Sequence, residues 1–248
     1  MNQYVVSPIL HGVQFSEIQD DYASDFIQGV KSFLPEDQRG FWVPVPYNWT
    51  HLTHGRQMFV YSLVESGLMN QKLRKLKHVV GSDVVWSARA KPGTKCFYND
   101  FVLELTEKIN YHLNIYKGAK LITMGHSQGT QLLLCYFFDY PSIVDGFMSM
   151  GSPISMGSGM FDNFGRVPPN LGFWWNFYNT RDFISSRIQD VHPSSEIKKF
   201  AKDFRVPLGL NPLGWTTIGS HCAYWKSKFV HKTIAEKLSK IISNNPLT

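Results

Sequence analysis

Few cysteines, few charges and no long apolar run: each scarcity removes a class of protein. The three cysteines, Cys96, Cys135 and Cys222, are odd in number and far apart, so they build neither a disulfide framework nor a paired metal site. Cys135 lies in Leu132-Leu133-Leu134-Cys135-Tyr136 and reads as a core thiol; Cys222, next to His221, reads as a packing residue. No apolar stretch approaches the roughly 20 residues of a membrane-spanning helix, which argues against stable membrane insertion. Charged residues make up 18% and hydrophobic residues 43% of the 248, a globular balance. The net charge of +6 is scattered, with small clusters at 72–77 and Lys198-Lys199. No basic stripe interleaved with aromatics and no nucleic-acid motif accompanies it, so no nucleic-acid partner is expected. The first ten residues lack a basic start and a small-residue cleavage site, and read as a strand rather than a signal peptide. Cytoplasmic residence is the expectation. His51 and His54 form an H-x-x-H pair that no cysteine or carboxylate cluster joins, so neither metal nor cofactor is expected. With no repeat, low-complexity tract or composition break, the whole of 1–248 reads as one domain.

What is present alternates. Apolar, β-branched runs at 4–10, 41–45, 83–86, 120–124, 144–150 and 173–178 read as strands, the last of them at 173–178. Helical patterns lie between them at 16–33, 51–80 (broken at Gly67), 99–116 and 128–138, and a lysine-rich amphipathic helix closes the chain at 223–242. This order predicts an α/β fold, a mostly parallel sheet of about six strands with helices on both faces and no large cap domain. Pro44 and Pro46 put the second strand at an edge. Residues 154–171 hold Met156, Met160, Phe161, Phe164 and three glycines. A loop of that length past a strand end is read as a lid or pocket wall, or as an irregular crossover.

Chemistry concentrates at Gly125-His126-Ser127-Gln128-Gly129, a G-x-S-x-G directly after a strand and directly before a helix. A chain turning that sharply strains its backbone at the serine and needs small residues two positions to either side. The turn also aims the first helical N–H groups, beginning with Gln128, at the space beside the hydroxyl. A serine needs a base to take its proton and a carboxylate to orient that base. Asp182 follows the run Trp175–Tyr178 in a turn, and His221 sits in a Gly-marked loop before the last helix. Asp190 and Asp162 rival Asp182, but neither follows an apolar strand closely; His192 rivals His221, but Pro193 follows it and it lies too near Asp182 for a separate loop. The second oxyanion donor falls to the turn after the first strand, His11-Gly12-Val13, through the N–H of Val13 or of Gln14. His11, Gly12, His126, Met156 and Phe161 are the expected substrate-binding residues, with His126 packed under the elbow rather than acting as a base.

Taken together, His11-Gly12, the Gly-His-Ser-Gln-Gly elbow, Gly151-Ser152-Pro153, Asp182 and His221 with Tyr224-Trp225 resemble the α/β-hydrolase superfamily, most of all its compact bacterial and phage-encoded lipase- and esterase-type members. The resemblance implies a Ser127–His221–Asp182 triad with Val13 and Gln128 as oxyanion donors, acting on a small-molecule or lipid acyl ester. The 51–80 insertion has no evident counterpart in the family. A thioesterase, a phage-type esterase acting on cell-envelope lipid in lysis, and a non-catalytic binding protein on the same fold stay open as alternatives.

Overall fold

The computed structural model describes residues 2–12, 22–52, 97–140, 142–153, 166–182, 184–191, 195–207 and 217–244. Within them the chain runs β1 (Val5–Leu10), α1 (Ser24–Phe33), β2 (Trp42–Tyr47), α2 (Phe97–Ile115), β3 (Lys120–His126), α3 (Gln128–Asp139), β4 (Gly146–Met150), β5 (Trp174–Tyr178), α4 (Ile188–Val191), α5 (Ser195–Phe200), β6 (Ala201–Arg205), α6 (Thr217–Cys222) and α7 (Lys228–Ile242). The expectations for Val13, Gln14, His54, residues 53–80, the strand at 83–86, Met156, Phe161, Asp162 and His192 lie outside the described residues.

All six strands are parallel, in the order β2-β1-β3-β4-β5-β6. Parallel strands covered on both faces must be apolar on both, and β1 shows it: all six of its residues are buried. Val6 and Leu10 join one core cluster with α2 and α3, while Val5 and Ile9 join another with α1 and α7. The same alternation sends Leu121 of β3 to the first cluster and Ile122 and Met124 to the second. Helices therefore cover both faces, as the sequence predicts. β2 is terminal among the described strands, consistent with its two prolines, which have no N–H to give a further neighbour.

One strand escapes the sequence reading. The run at 173–178 is not the last: β6 follows and pairs along β5 from Trp174↔Ala201 to Tyr178↔Arg205. Its residues, Ala-Lys-Asp-Phe-Arg, carry three charges in five positions and lack the apolar run that announces the others. Charge is tolerated there because the strand is terminal among those described, and edge strands are commonly blunted this way. The last helix also starts later than 223. Ala223–Lys226 form a 3₁₀ turn, and Ser227 then caps α7, its hydroxyl accepting from the Val230 N–H at 3.4 Å. No helix among the described residues is long and apolar enough to cross a membrane.

Topology also locates the site. From β1 the chain goes to one side for β2, then returns past β1 to β3 on the other side. Loops leaving the carboxyl ends of β1 and β3 thus diverge, and an open α/β sheet forms its binding crevice at such a switch point.

Candidate active site

Ser127 stands at this switch point, between the end of β3 and the start of α3, half-buried and with φ 52° and ψ −127°. Positive φ in a residue with a Cβ costs of order 1–3 kcal/mol and persists only where the surroundings enforce it. They do so here. The Ser127 N–H donates to Met150 O at the end of β4 (2.9 Å), and its carbonyl accepts from Thr130 N (3.0 Å) and Thr130 Oγ1 (2.6 Å). Thr130 Oγ1 also meets Ser152 Oγ at 2.7 Å, so the Gly151-Ser152-Pro153 turn braces the first turn of α3.

Small residues are needed around it for a steric reason. A Cβ on Gly129 would lie 3.0 Å from Leu10 Cβ and close on the His11 carbonyl, and one on Gly125 would come within 3.1 Å of the Thr130 backbone. On Gly12 it would overlap Ser127 Cβ and reach 2.9 Å from Ser127 Oγ. The turn after β1 therefore lies directly against the serine. Gln128 is buried and opens α3, so its amide is one that the helical hydrogen-bond ladder does not use.

The structure brings Asp182 and His221 together. His221 Nδ1 and Asp182 Oδ2 are 2.9 Å apart, with both side chains buried. The carboxylate takes two further donors: Tyr224 OH to Oδ2 at 3.0 Å and Ile184 N–H to Oδ1 at 3.0 Å. An unpaired buried carboxylate would be very costly, and three donors satisfy this one. Its loop is set by Asn179, whose side chain donates to Val206 O and accepts from Arg181 N at 2.7 Å. His221 Nε2, the other ring nitrogen, is buried and has no hydrogen-bond partner among the described residues. The rival Asp190 is exposed instead, paired with Arg187 at 3.3 Å.

Residue type and spacing do not reveal two contacts, that of Tyr224 with Asp182 and that of His126 with the His221 carbonyl. Tyr224 is fully buried; burial, and the Asp182 charge after it, push its hydroxyl pKa up, so it stays a donor. Gly151, with φ +58°, makes room for it: a Cβ there would sit 2.8 Å from Tyr224 Cε2 and 3.2 Å from His221 Cε1. His126 Nε2 donates to the His221 carbonyl at 2.8 Å, and the two imidazoles lie 4.8 Å apart, centroid to centroid. His221 thus lies in α6 rather than in the loop the sequence suggests, and the last residue of β3 holds that helix at its carboxyl end. His11 is buried with its ring nitrogens on Gly12 O and on Asn48 Oδ1 (3.0 Å), stacked on Trp49 at 5.5 Å. His51 pairs with Glu104 at 2.9 Å on the surface.

Burial, and next the nearby His221, hold His126 well below its ordinary pKa of 6.5. In the unfolded chain His126 binds a proton as pH falls through 6.5, and in the fold it does not. Its contribution to stability is therefore whole above that pH and is lost below it. Urea unfolding at about pH 7.5 and about pH 5.5 should show stability falling toward acid. His126→Gln, which keeps a donor for the His221 carbonyl, should flatten the slope by up to about 1.4 kcal/mol per pH unit.

With this geometry established, residues 52–232 match the family model for the alpha/beta hydrolase fold. None of the curated proteins is similar enough in sequence to match. Among solved structures, the chain is similar to an alpha/beta-superfamily protein from Xanthomonas campestris pv. campestris, at 12% identity and TM-score 0.47, covering 95% of this chain and 99% of that one. It is also similar to the esterase domain of a Rhodothermus marinus protein, at 10% identity and TM-score 0.46, covering 96% and 88%. A cutinase-like protein from Cryptococcus sp. is similar at 13% identity and TM-score 0.45, covering 99% and 97%. With TM-scores this low, it is the family match over 52–232 that assigns the chain.

Proposed function

The chain belongs to the alpha/beta hydrolase fold family, and from that premise we propose that it is a serine hydrolase cleaving carboxylic esters through an acyl-enzyme on Ser127. The observation that carries this reading is the state of His221. Its Nδ1 is held by a buried carboxylate at 2.9 Å, while its Nε2 is buried without a partner among the described residues. An imidazole whose Nδ1–H is donated to Asp182 presents a lone pair at Nε2, which is the form a general base requires.

In the proposed reaction Ser127 Oγ attacks the acyl carbon and passes its proton to His221 Nε2. The carbonyl oxygen takes up the displaced electron pair beside the amide of Gln128, with the Val13 amide as the second donor. Collapse breaks the bond to the leaving oxygen, which takes the proton from His221. Water then attacks the acyl-enzyme by the same route and restores the serine. Asp182 keeps its hydrogen bond to Nδ1 throughout and holds the imidazolium. The positive end of α3 and one oxyanion donor contribute about 3 kcal/mol to the transition state on the scale of related sites.

The substrate is proposed to be a small-molecule or lipid acyl ester. A panel of p-nitrophenyl esters from acetyl to palmitoyl, run beside the matching acyl-CoAs, tests this. Saturable release of p-nitrophenol is expected. Turnover of acyl-CoAs alone would make the enzyme a thioesterase, and turnover of neither would contradict the proposal.

A further inference from the structure

At the opposite end of the sheet from Ser127 lies a cavity of about 480 Å³ whose lining includes Trp175, Lys199, Lys202, Asp203 and Lys237. Trp175 and Lys202 are the second residues of β5 and β6 and are register partners, so the cavity sits toward the amino ends of the strands. α7 starts near His221 and runs back in this direction, which brings Lys237, in its second half, to the same place.

Lys237 is only 6% exposed, although lysine is almost never buried without a partner. Its ammonium lies 4.0 Å from the centroid of the Trp175 ring and 4.5 Å from that of Phe173. No carboxylate pairs with it among the described residues. Lys202 adds a second cation, 6.0 Å from the same Trp175 ring, and Lys199 a third at the exposed rim. The one carboxylate in the lining does not compensate them. Asp203 is committed to the protein, accepting from Asn176 Nδ2 (2.7 Å), Ile188 N (3.1 Å) and Gln189 N (3.0 Å). Arg187, also in the lining, is paired with Asp190.

A concavity with three ammonium groups that no carboxylate pairs among the described residues, beside an indole, is complementary to a dianion joined to an apolar or ring-bearing body. We infer that this cavity binds a phosphate monoester, with Lys237 at its floor and Lys202 and Lys199 at its rim as the cationic partners of the phosphate. The volume falls in the range of small-molecule sites, which is larger than bare phosphate needs. Burial, followed by repulsion from Lys202 and Lys240, lowers Lys237 to about 8, a penalty that a bound dianion would reverse. The site is independent of the proposed ester chemistry.

Titration with inorganic phosphate at constant ionic strength tests the inference, read from the Trp175 indole resonance in a ¹H–¹⁵N spectrum and with acetate as the control. The expected result is a saturable phosphate shift that acetate does not give. Affinity should drop about tenfold in Lys237→Met and severalfold in Lys202→Gln. Lys202 is exposed, so its variant should fold and keep wild-type ester turnover, and it decides the matter alone if Lys237→Met does not fold. A parallel arm uses phosphatidylcholine vesicles with and without phosphatidic acid. Lysine-dependent binding to the acidic vesicles would place the phosphate on a lipid headgroup, and a response to soluble phosphate alone would place it on a free metabolite. No saturable response to either, or equal affinity in wild type and both variants, would overturn the inference.

Discussion

Ser127→Ala is expected to lower kcat on p-nitrophenyl esters by about four to six powers of ten while leaving the urea midpoint nearly unchanged. Alanine removes the nucleophilic oxygen but keeps the Cβ, and the Cβ is the source of the strain at φ 52°. Ser127→Gly separates the two effects. It should be as inactive as the alanine variant yet more stable, by roughly 1 kcal/mol, because glycine adopts this backbone conformation without penalty. Stopped assays with purified variants and equilibrium unfolding measure both halves. A glycine variant less stable than wild type would show that the elbow is not strained in the way its dihedrals indicate.

Asp182→Asn is expected to be nearly as damaging to kcat, by about four powers of ten, through a different route. The carboxylate accepts at three points, from His221 Nδ1, Tyr224 OH and Ile184 N–H. An asparagine amide must set its NH₂ against one of these donors whichever way it turns. Placed toward His221, it reverses the imidazole tautomer and takes the lone pair away from Nε2. Placed toward Ile184, it leaves a buried N–H unmatched, at about 1–3 kcal/mol of stability. Tyr224→Phe removes one of the three donors, so in that background the stability loss of Asp182→Asn should shrink. A double-mutant cycle measures the difference.

The elbow was legible because its demands are local. Strand, turn and helix must follow within a few residues, and only glycine fits where Gly125 and Gly129 meet Leu10, His11 and Thr130. Asp182 and His221 were legible in another way, from chain order and from their places after a strand and before a helix, and the fold sets them 2.9 Å apart. The contacts of Tyr224 with Asp182 and of His126 with the His221 carbonyl were not legible. Nothing in a tyrosine three residues past His221 says that its hydroxyl reaches Asp182. That depends on Gly151 opening a space across the sheet. β6 escaped for a related reason: its polar residues are tolerated by its terminal position, a property of the assembled sheet rather than of the segment. The cationic cavity is likewise invisible in the chain, because Lys199, Lys202 and Lys237 belong to three different elements.

The central claim is that Ser127 is the activated nucleophile, and covalent capture addresses it most directly. The folded protein would be treated with a fluorophosphonate probe, digested, and the modified peptide identified by mass spectrometry. The account predicts a single stoichiometric adduct on Ser127, formed far more slowly in Asp182→Asn. An adduct on a different residue, or an unmodified Ser127 in protein that turns over p-nitrophenyl esters, would contradict it.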